Sequence, residues 1–341
     1  MKLKDSKVRK TLNILFRLLI VALSLGFIYW KLFAQGDYKE LLRALSSFRS
    51  EAQFIPAIVI TLVLMFFNWG IEAVKWQMLV SRVEEIGFIK SVQSVISGVT
   101  VSIFTPNRTG EFIGRAFILK KGSPGQAVIL TMVGSFSQLL VTLLTGSLAM
   151  AFTYTRYLPE GISIPAWSHA GVVLSFILFM VAGGFTFFRI PILLRVFESR
   201  FLRHFKKLHY YLDAIYSISR RELLRLFLLS VIRYLVFSLQ FFLVLKAFEI
   251  PISITDAISL IPVIFITLAA IPTVALSELG VRGSVSLFFI GQYLLYSRGV
   301  PMNEQESLGV VLAAGLLWVI NLAIPAIAGI PFVFRLKFFR R

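Results

Sequence analysis

Five charged residues stand inside stretches that are otherwise apolar. Arg108, Glu111 and Arg115 lie in or just after the break Thr105-Pro106-Asn107-Arg108-Thr109-Gly110, and Glu278 and Arg282 follow Pro272. Glu111 and Arg115 are four residues apart, as are Glu278 and Arg282. On a helix that spacing brings two side chains together on one face. A charge at the centre of a bilayer costs about 2.5–3.5 kcal/mol on insertion scales, so a residue kept there is paired or functional. Two roles follow. In one, each Glu–Arg pair neutralises itself for structural reasons. In the other, helix ends at the break and a guanidinium with no local carboxylate, Arg108, form an anion site. A phosphodiester suits such a site. Arg233 is a sixth charge, seven residues into an apolar run. It either snorkels to the cytoplasmic edge or lines the same cavity. Asn68, Glu72 and Lys75 read as polar residues at the inner end of a span, the last two as a helix-end pair. Gln138, Gln240 and Asn321 read as hydrogen-bonding glue between helices or as part of a polar path.

The elements that must hold these residues are set by composition. Of 341 residues, 57% are hydrophobic and 15% charged, where soluble domains run nearer 45–50% and about 25%. A water-soluble fold of this size cannot hide so much apolar surface. The fold class is therefore an all-α polytopic membrane protein. The formal net charge of +18 falls in clusters between apolar runs, which suits anionic lipid headgroups and excludes nucleic acid as the partner. With no Cys there are no disulfides, thiolate metal sites or cysteine nucleophile. His204 and His209 are five apart and share no helical face, and no Walker A segment occurs. No cofactor is expected. The basic, then apolar N-terminus lacks a small-residue cleavage site and reads as a retained helix.

An apolar run of about 20 residues spans as a helix. Six runs qualify: 12–33, 54–69 continuing through 80, 126–154, 166–188, 226–245 and 308–334. Two stretches break instead. Residues 91–121 break at Pro106, and residues 254–296 break at Pro272 and again around 277–283. Each reads as a re-entrant or broken helical hairpin, which persists at membrane depth only where protein or a wet cavity satisfies its backbone.

Basic residues set the orientation. Residues 1–11 carry five Lys/Arg and one acid, residues 189–225 nine and three, and the last seven residues four and none. These segments should be cytoplasmic, with both termini inside. Segments 34–53, 155–166, 249–256 and 297–306 together hold five Lys/Arg and eight acids and should lie outside. Six spans and two hairpins then form an inverted repeat within a single membrane domain, 1–341, its halves being 54–154 and 226–334. They are joined by a cytoplasmic amphipathic segment, 189–225. Its apolar stripe runs Leu194, Phe197, Phe201, Phe205, Leu208, Leu212 and Ile215, with Arg200, Arg203, Lys206 and Lys207 between. It should lie on anionic lipid. Paired broken segments in inverted halves point to a transporter site at the midplane. The site residues are then Arg108, Glu111, Arg115, Glu278, Arg282 and Arg233.

The same residues carry a resemblance. Pro106, Arg108, Gly110, Glu111 and Arg115 fit a Pro-x-Arg-x-Gly-Glu-x-x-x-Arg segment. Pro272 through Ser277-Glu278-Leu279-Gly280-Val281-Arg282 is similar to a later, Gly-Leu-Gly-type segment, with Ser-Glu where Gly-Gly is more usual. Over roughly 10–335 the chain resembles the flippase-like membrane domain of lysylphosphatidylglycerol synthases, the multiple peptide resistance factor group. It looks like a stand-alone member without the soluble synthase domain. The resemblance implies movement of an anionic or modified (aminoacylated or glycosylated) lipid between leaflets of the plasma or inner membrane, by alternating access. The alternative is a membrane-embedded enzyme that modifies lipid headgroups, or a membrane subunit of one. An enzyme should carry a loop-borne base or nucleophile, and the short, nearly bare outer loops favour transport. Membrane lipids are the expected partners. A homo-oligomer and a separate lipid-modifying enzyme are further partners this reading admits.

Overall fold

The computed structural model describes residues 6–29, 53–103, 105, 108–119, 123–153, 165–198, 206–272, 275–334 and 336. Pro106, Asn107, Phe201, Phe205, Arg200, Arg203, His204 and most of the expected outer segments 34–53 and 155–166 lie outside these residues. Among the described residues the elements are helices, with no strand. Four are long and apolar enough to cross a membrane: α2 (Phe54–Val80), α5 (Pro124–Thr153), α9 (Arg220–Ala247) and the run Glu304–Val333. That run comprises α12 (Glu304–Trp318), a π-turn (Val319–Ala323) and α13 (Ile324–Val333). Runs of 27–30 residues reach about 40–45 Å at 1.5 Å per residue, enough for the hydrocarbon core with tilt. A fifth span exists if α6 (Ala166–Phe188) and α7 (Ile190–Phe197), bent by 77° between them, are taken as one. The first helix, α1 (Ser6–Tyr29), has an apolar centre of only Ile14–Leu23. Phe66, Phe67, Phe152, Val181 and Leu235 are more than half exposed on the outer faces, an apolar surface of the kind that meets lipid.

The first broken stretch is α3 (Phe88–Ser102) and α4 (Gly110–Phe117). These helices are about 22 and 12 Å long, too short to cross. The second is α10 (Ile254–Ala270) and α11 (Ala275–Arg298). The break at Pro272 is present, but the second break expected around 277–283 is not, since α11 continues through it. Gly280 and Gly283 each weaken a helix by only about 1 kcal/mol, and packing on α12 outweighs that.

α2 lies against α9, α3 against α13, and α10 against α5. So the first helix of each broken stretch packs on the last long helix of the other segment. Both contacts close on a glycine. A methyl group at Gly329 would collide with Thr100 Oγ1 and stand 2.6 Å from the Ile96 carbonyl; one at Gly146 would collide with Ile266 and stand 3.0 Å from the Pro262 carbonyl. The close approach lets Thr100 Oγ1 donate to the Ala326 carbonyl at 2.7 Å. Gly329→Ala and Gly146→Ala should each cost about 1–3 kcal/mol by overpacking, seen as a lower melting temperature in detergent. Gly70→Ala, with nothing within 4 Å, should show no such loss.

In the linker the structure describes α7 and α8 (Lys206–Tyr216). Leu212 and Ile215, expected on the lipid-facing stripe, are buried in the protein core. Gly125, at the start of α5, admits the Tyr211 ring so closely that a Cβ would stand 2.6 Å from it. Gln126 Nε2 donates to the Tyr210 carbonyl at 3.0 Å. Between α7 and α8, Glu198 accepts from the Tyr216 hydroxyl and contacts His209 Nδ1 at 2.5 Å. The Tyr216 hydrogen bond, helped by His209, holds the Glu198 carboxyl below its ordinary value. The clamp is therefore at full strength above the ordinary carboxylate range and releases as pH falls through the lowered value.

Candidate functional site

Glu72 is the centre of the first network. α2 carries it with Lys75 one turn later, both buried. Lys75 Nζ is 3.2 Å from Glu72 Oε2, and Arg115 Nη1 is 2.8 Å from Glu72 Oε1. Arg115 Nη2 also pairs with Glu111, the neighbour four residues back. α4 is held in place by α3. Ser94 Oγ donates to the Arg115 carbonyl at 3.0 Å, and Ser97 Oγ to the Gly114 carbonyl at 3.4 Å. Gly114 lies so near Gly98 that a Cβ would stand 2.6 Å from the Gly98 Cα. Trp76 Nε1 donates to Ser94 Oγ at 3.0 Å, and the Arg115 guanidinium lies 5.8 Å from the Trp76 ring centre. Arg233, from α9, completes the group at 3.2 Å from Glu72 Oε2.

One expectation fails here and one choice is decided. Glu72 and Lys75 are not an isolated helix-end pair but the acceptor and one donor of a three-helix cluster. Of the two readings of Arg233, the side chain takes the inward one rather than snorkelling. Its guanidinium lies 5.3 Å from the Trp69 ring centre, and its Nη1 donates to Gln138 Oε1 at 3.4 Å. The carboxylate draws it inward, since a buried Glu72 is a stronger partner than the rim.

The second network joins the two broken stretches. Glu278 and Arg282 pair as their spacing predicts, at 2.9 and 3.1 Å. Arg108, read from sequence as having no local carboxylate, meets a distant one: its Nη2 stands 2.5 Å from Glu278 Oε1, 170 residues away. Arg108 takes φ of 55°, a left-handed conformation costing roughly 1–2 kcal/mol for a residue with a Cβ. Each carboxylate thus has cations from its own segment and one from the other. Glu72 receives Arg233, and Glu278 receives Arg108.

Counted together, Lys75, Arg108, Arg115, Arg233 and Arg282 face Glu72, Glu111 and Glu278. The cations exceed the carboxylates by two, one in each network. The surplus borders a cavity of about 270 Å³. Arg108, Arg233 and Arg282 line it, and no Asp or Glu is among its described lining residues. Glu111 and Arg115 stand behind this wall rather than in it. Asn68, Gln138, Thr142 and Asn321 add neutral polar groups, while Phe237, Phe265 and Leu268 form an apolar side. Trp69 and Trp318 also line it, and their buried Nε1 atoms have no hydrogen-bond partner. Asn68 Nδ2 donates to Asn321 Oδ1 at 3.0 Å, so that amide lies both in the glue and in the wall. Gln240 is glue alone, donating to the Thr61 carbonyl at 2.9 Å. Fixed guanidiniums and neutral polar groups against an apolar wall can bind an anion and hold its apolar part beside it.

Sequence reasoning missed Trp69, Thr142, Tyr234 and Trp318, all cavity-lining. A signal was present for the first. Trp69, Glu72 and Lys75-Trp76 recur at spacings of three and four, which places them on one inward face.

A family model described as the lysylphosphatidylglycerol synthase TM region matches residues 14–316. The chain belongs to this family. No curated protein and no solved structure matches it. Within this lysylphosphatidylglycerol synthase-type membrane region lie all six site residues expected from sequence. The match stops before Trp318, Asn321 and Leu322, so part of the cavity wall lies beyond the matched segment.

Proposed function

We propose that this chain moves an anionic or modified phospholipid between leaflets by alternating access, with the headgroup held in the three-arginine cavity. The observation that carries this reading is the surplus of two cations beside a cavity with an apolar wall. A lipid phosphodiester, with one negative charge, would offset half of the surplus, while its tails stay in hydrocarbon. The reciprocal packing of α3 on α13 and α10 on α5, and the arginine each segment lends the other, support two inverted halves meeting at the site. Six spans with two broken hairpins complete that picture, with the protein in the plasma or inner membrane. Purified protein in liposomes should speed movement of a labelled phospholipid between leaflets, and an unchanged rate would refute the reading. A second reading, a membrane subunit of a lipid-headgroup-modifying enzyme, rests on the family's name. Such a subunit would bind the lipid without moving it, so the same assay separates the two.

The orientation has its own test, made simple by the absence of cysteine. Single cysteines at Ser253 and Ser297 should react with an impermeant thiol reagent from outside. Cysteines at Ser6 and Ser219 should react only after the membrane is opened. Outside labelling at Ser219 would reverse the topology.

A further inference from the structure

The cavity's charges are one-sided. Arg108, Arg233 and Arg282 face it, and their carboxylates are screened behind them. Glu72 and Glu278 are buried, Glu278 touches both Arg108 and Arg282, and neither lines the cavity. An ammonium group entering this space would meet three guanidiniums and no accessible carboxylate. Like charges brought together in a partly desolvated site cost several kcal/mol and act mainly by rejecting the wrong partner. The neutral groups present are of another kind. Asn68, Gln138 and Asn321 offer amides, and Thr142 offers a hydroxyl. Amides and hydroxyls bond a hydroxylated headgroup in either direction. At about 270 Å³ the space lies near the lower limit of ordinary ligand pockets, about 300 Å³, so it suits a headgroup without its tails.

We infer that the site sorts lipids by headgroup charge: it takes a net-anionic phosphodiester lipid whose remaining headgroup is uncharged and hydroxylated, and it turns away headgroups bearing an ammonium. The inference rests on the proposed lipid-handling role and narrows it. Of the modified lipids that role admits, glycosylated and unmodified anionic ones fit this wall, and aminoacylated ones do not.

The test uses two probes with the same phosphate and glycerol. Phosphatidylglycerol carries net charge −1, and its lysyl ester carries an added lysine. Binding of short-chain forms of each to the full-length protein is measured in detergent by thermal shift, with inorganic phosphate as a third arm. Phosphatidylglycerol should bind at least ten-fold more tightly than the lysyl ester, and phosphate alone should shift melting far less than phosphatidylglycerol. A second measurement changes the wall's charge and leaves the arginines in place. Thr142→Glu, which puts a carboxylate in the wall, should narrow or invert the preference, whereas Thr142→Gln should keep it. Equal binding of the two lipids, preference for the lysyl ester, or no response to Thr142→Glu would overturn the sorting inference. Those results would leave the lipid-handling reading standing. Binding of phosphate as strong as that of the lipid would also overturn it, by showing an ion site indifferent to the headgroup. Binding of neither lipid would overturn both readings together.

Discussion

Changing Glu72 to Gln is expected to be the most damaging single substitution in this chain. It would leave Lys75, Arg115 and Arg233 with one carboxylate, Glu111, which contacts only Arg115. Removing one partner from a buried ion pair costs about 3–5 kcal/mol, because the remaining charge is stranded. Here the charges stranded are Lys75 and Arg233, whose side chains are 1% and 19% exposed. The expected result is little folded protein after extraction, or a large fall in melting temperature. Adding Lys75→Met to Glu72→Gln removes the more deeply buried of the two cations and should recover part of the loss. If Glu72→Gln alone melts like the parent, the network is not what holds α2, α4 and α9 together.

Arg108 should behave in the opposite way, losing function while keeping the fold. Removing it leaves Glu278 with Arg282, so no buried carboxylate is stranded. The lost charge-assisted bond is worth about 1.5–3 kcal/mol in general. Arg108 is 38% exposed, so solvent screening places it at the lower end. Glycine at this position also relieves the left-handed backbone, roughly 1–2 kcal/mol. Arg108→Gly should therefore melt within about 1 kcal/mol of the parent yet move lipid at least ten-fold more slowly. Arg108→Ala keeps the strain and should melt lower than Arg108→Gly. Arg108→Lys retains the charge but not the planar fork, and should restore little transport if two phosphate oxygens are gripped at once. Full transport by Arg108→Gly would remove the phosphate from this part of the cavity.

What the sequence made legible was local. Ser219 and Glu222, Ser253 and Asp256, and Asn303 and Glu306 are three residues apart and form capping boxes that start α9, α10 and α12, as such spacing predicts. Glu111–Arg115 and Glu278–Arg282 were readable for the same reason, since a helix brings residues four apart together. Pro272 marked a real break. What could not be read was the choice of distant partners. Arg108 meets Glu278 170 positions away, and Asn68 meets Asn321 253 positions away. Nothing in local spacing encodes those pairings; they follow from which helices touch, and that is decided by shape, as at Gly146 and Gly329. Arg233 shows the difference most plainly. By depth alone it belongs at the rim, and only the position of Glu72 on a neighbouring helix turns it inward. Leu212 and Ile215 in the linker illustrate a related point. An amphipathic stripe signals that a face is covered, but not whether lipid or the protein core covers it.

The exchange of arginines between segments has a consequence for how such a molecule can move. Arg233 and Arg108 are the two cations that reach across. If both ties were broken, Glu72 would keep Lys75 and Arg115, and Glu278 would keep Arg282. Neither carboxylate would be orphaned; only the two lent guanidiniums would lose their partners. In the proposed transport cycle an empty protein would resist opening, because two bare cations would remain in a poorly solvated space. A bound phosphate would give those cations somewhere else to go. The device would then work as a clutch: engaged when the binding space is empty, and released by the cargo's own charge.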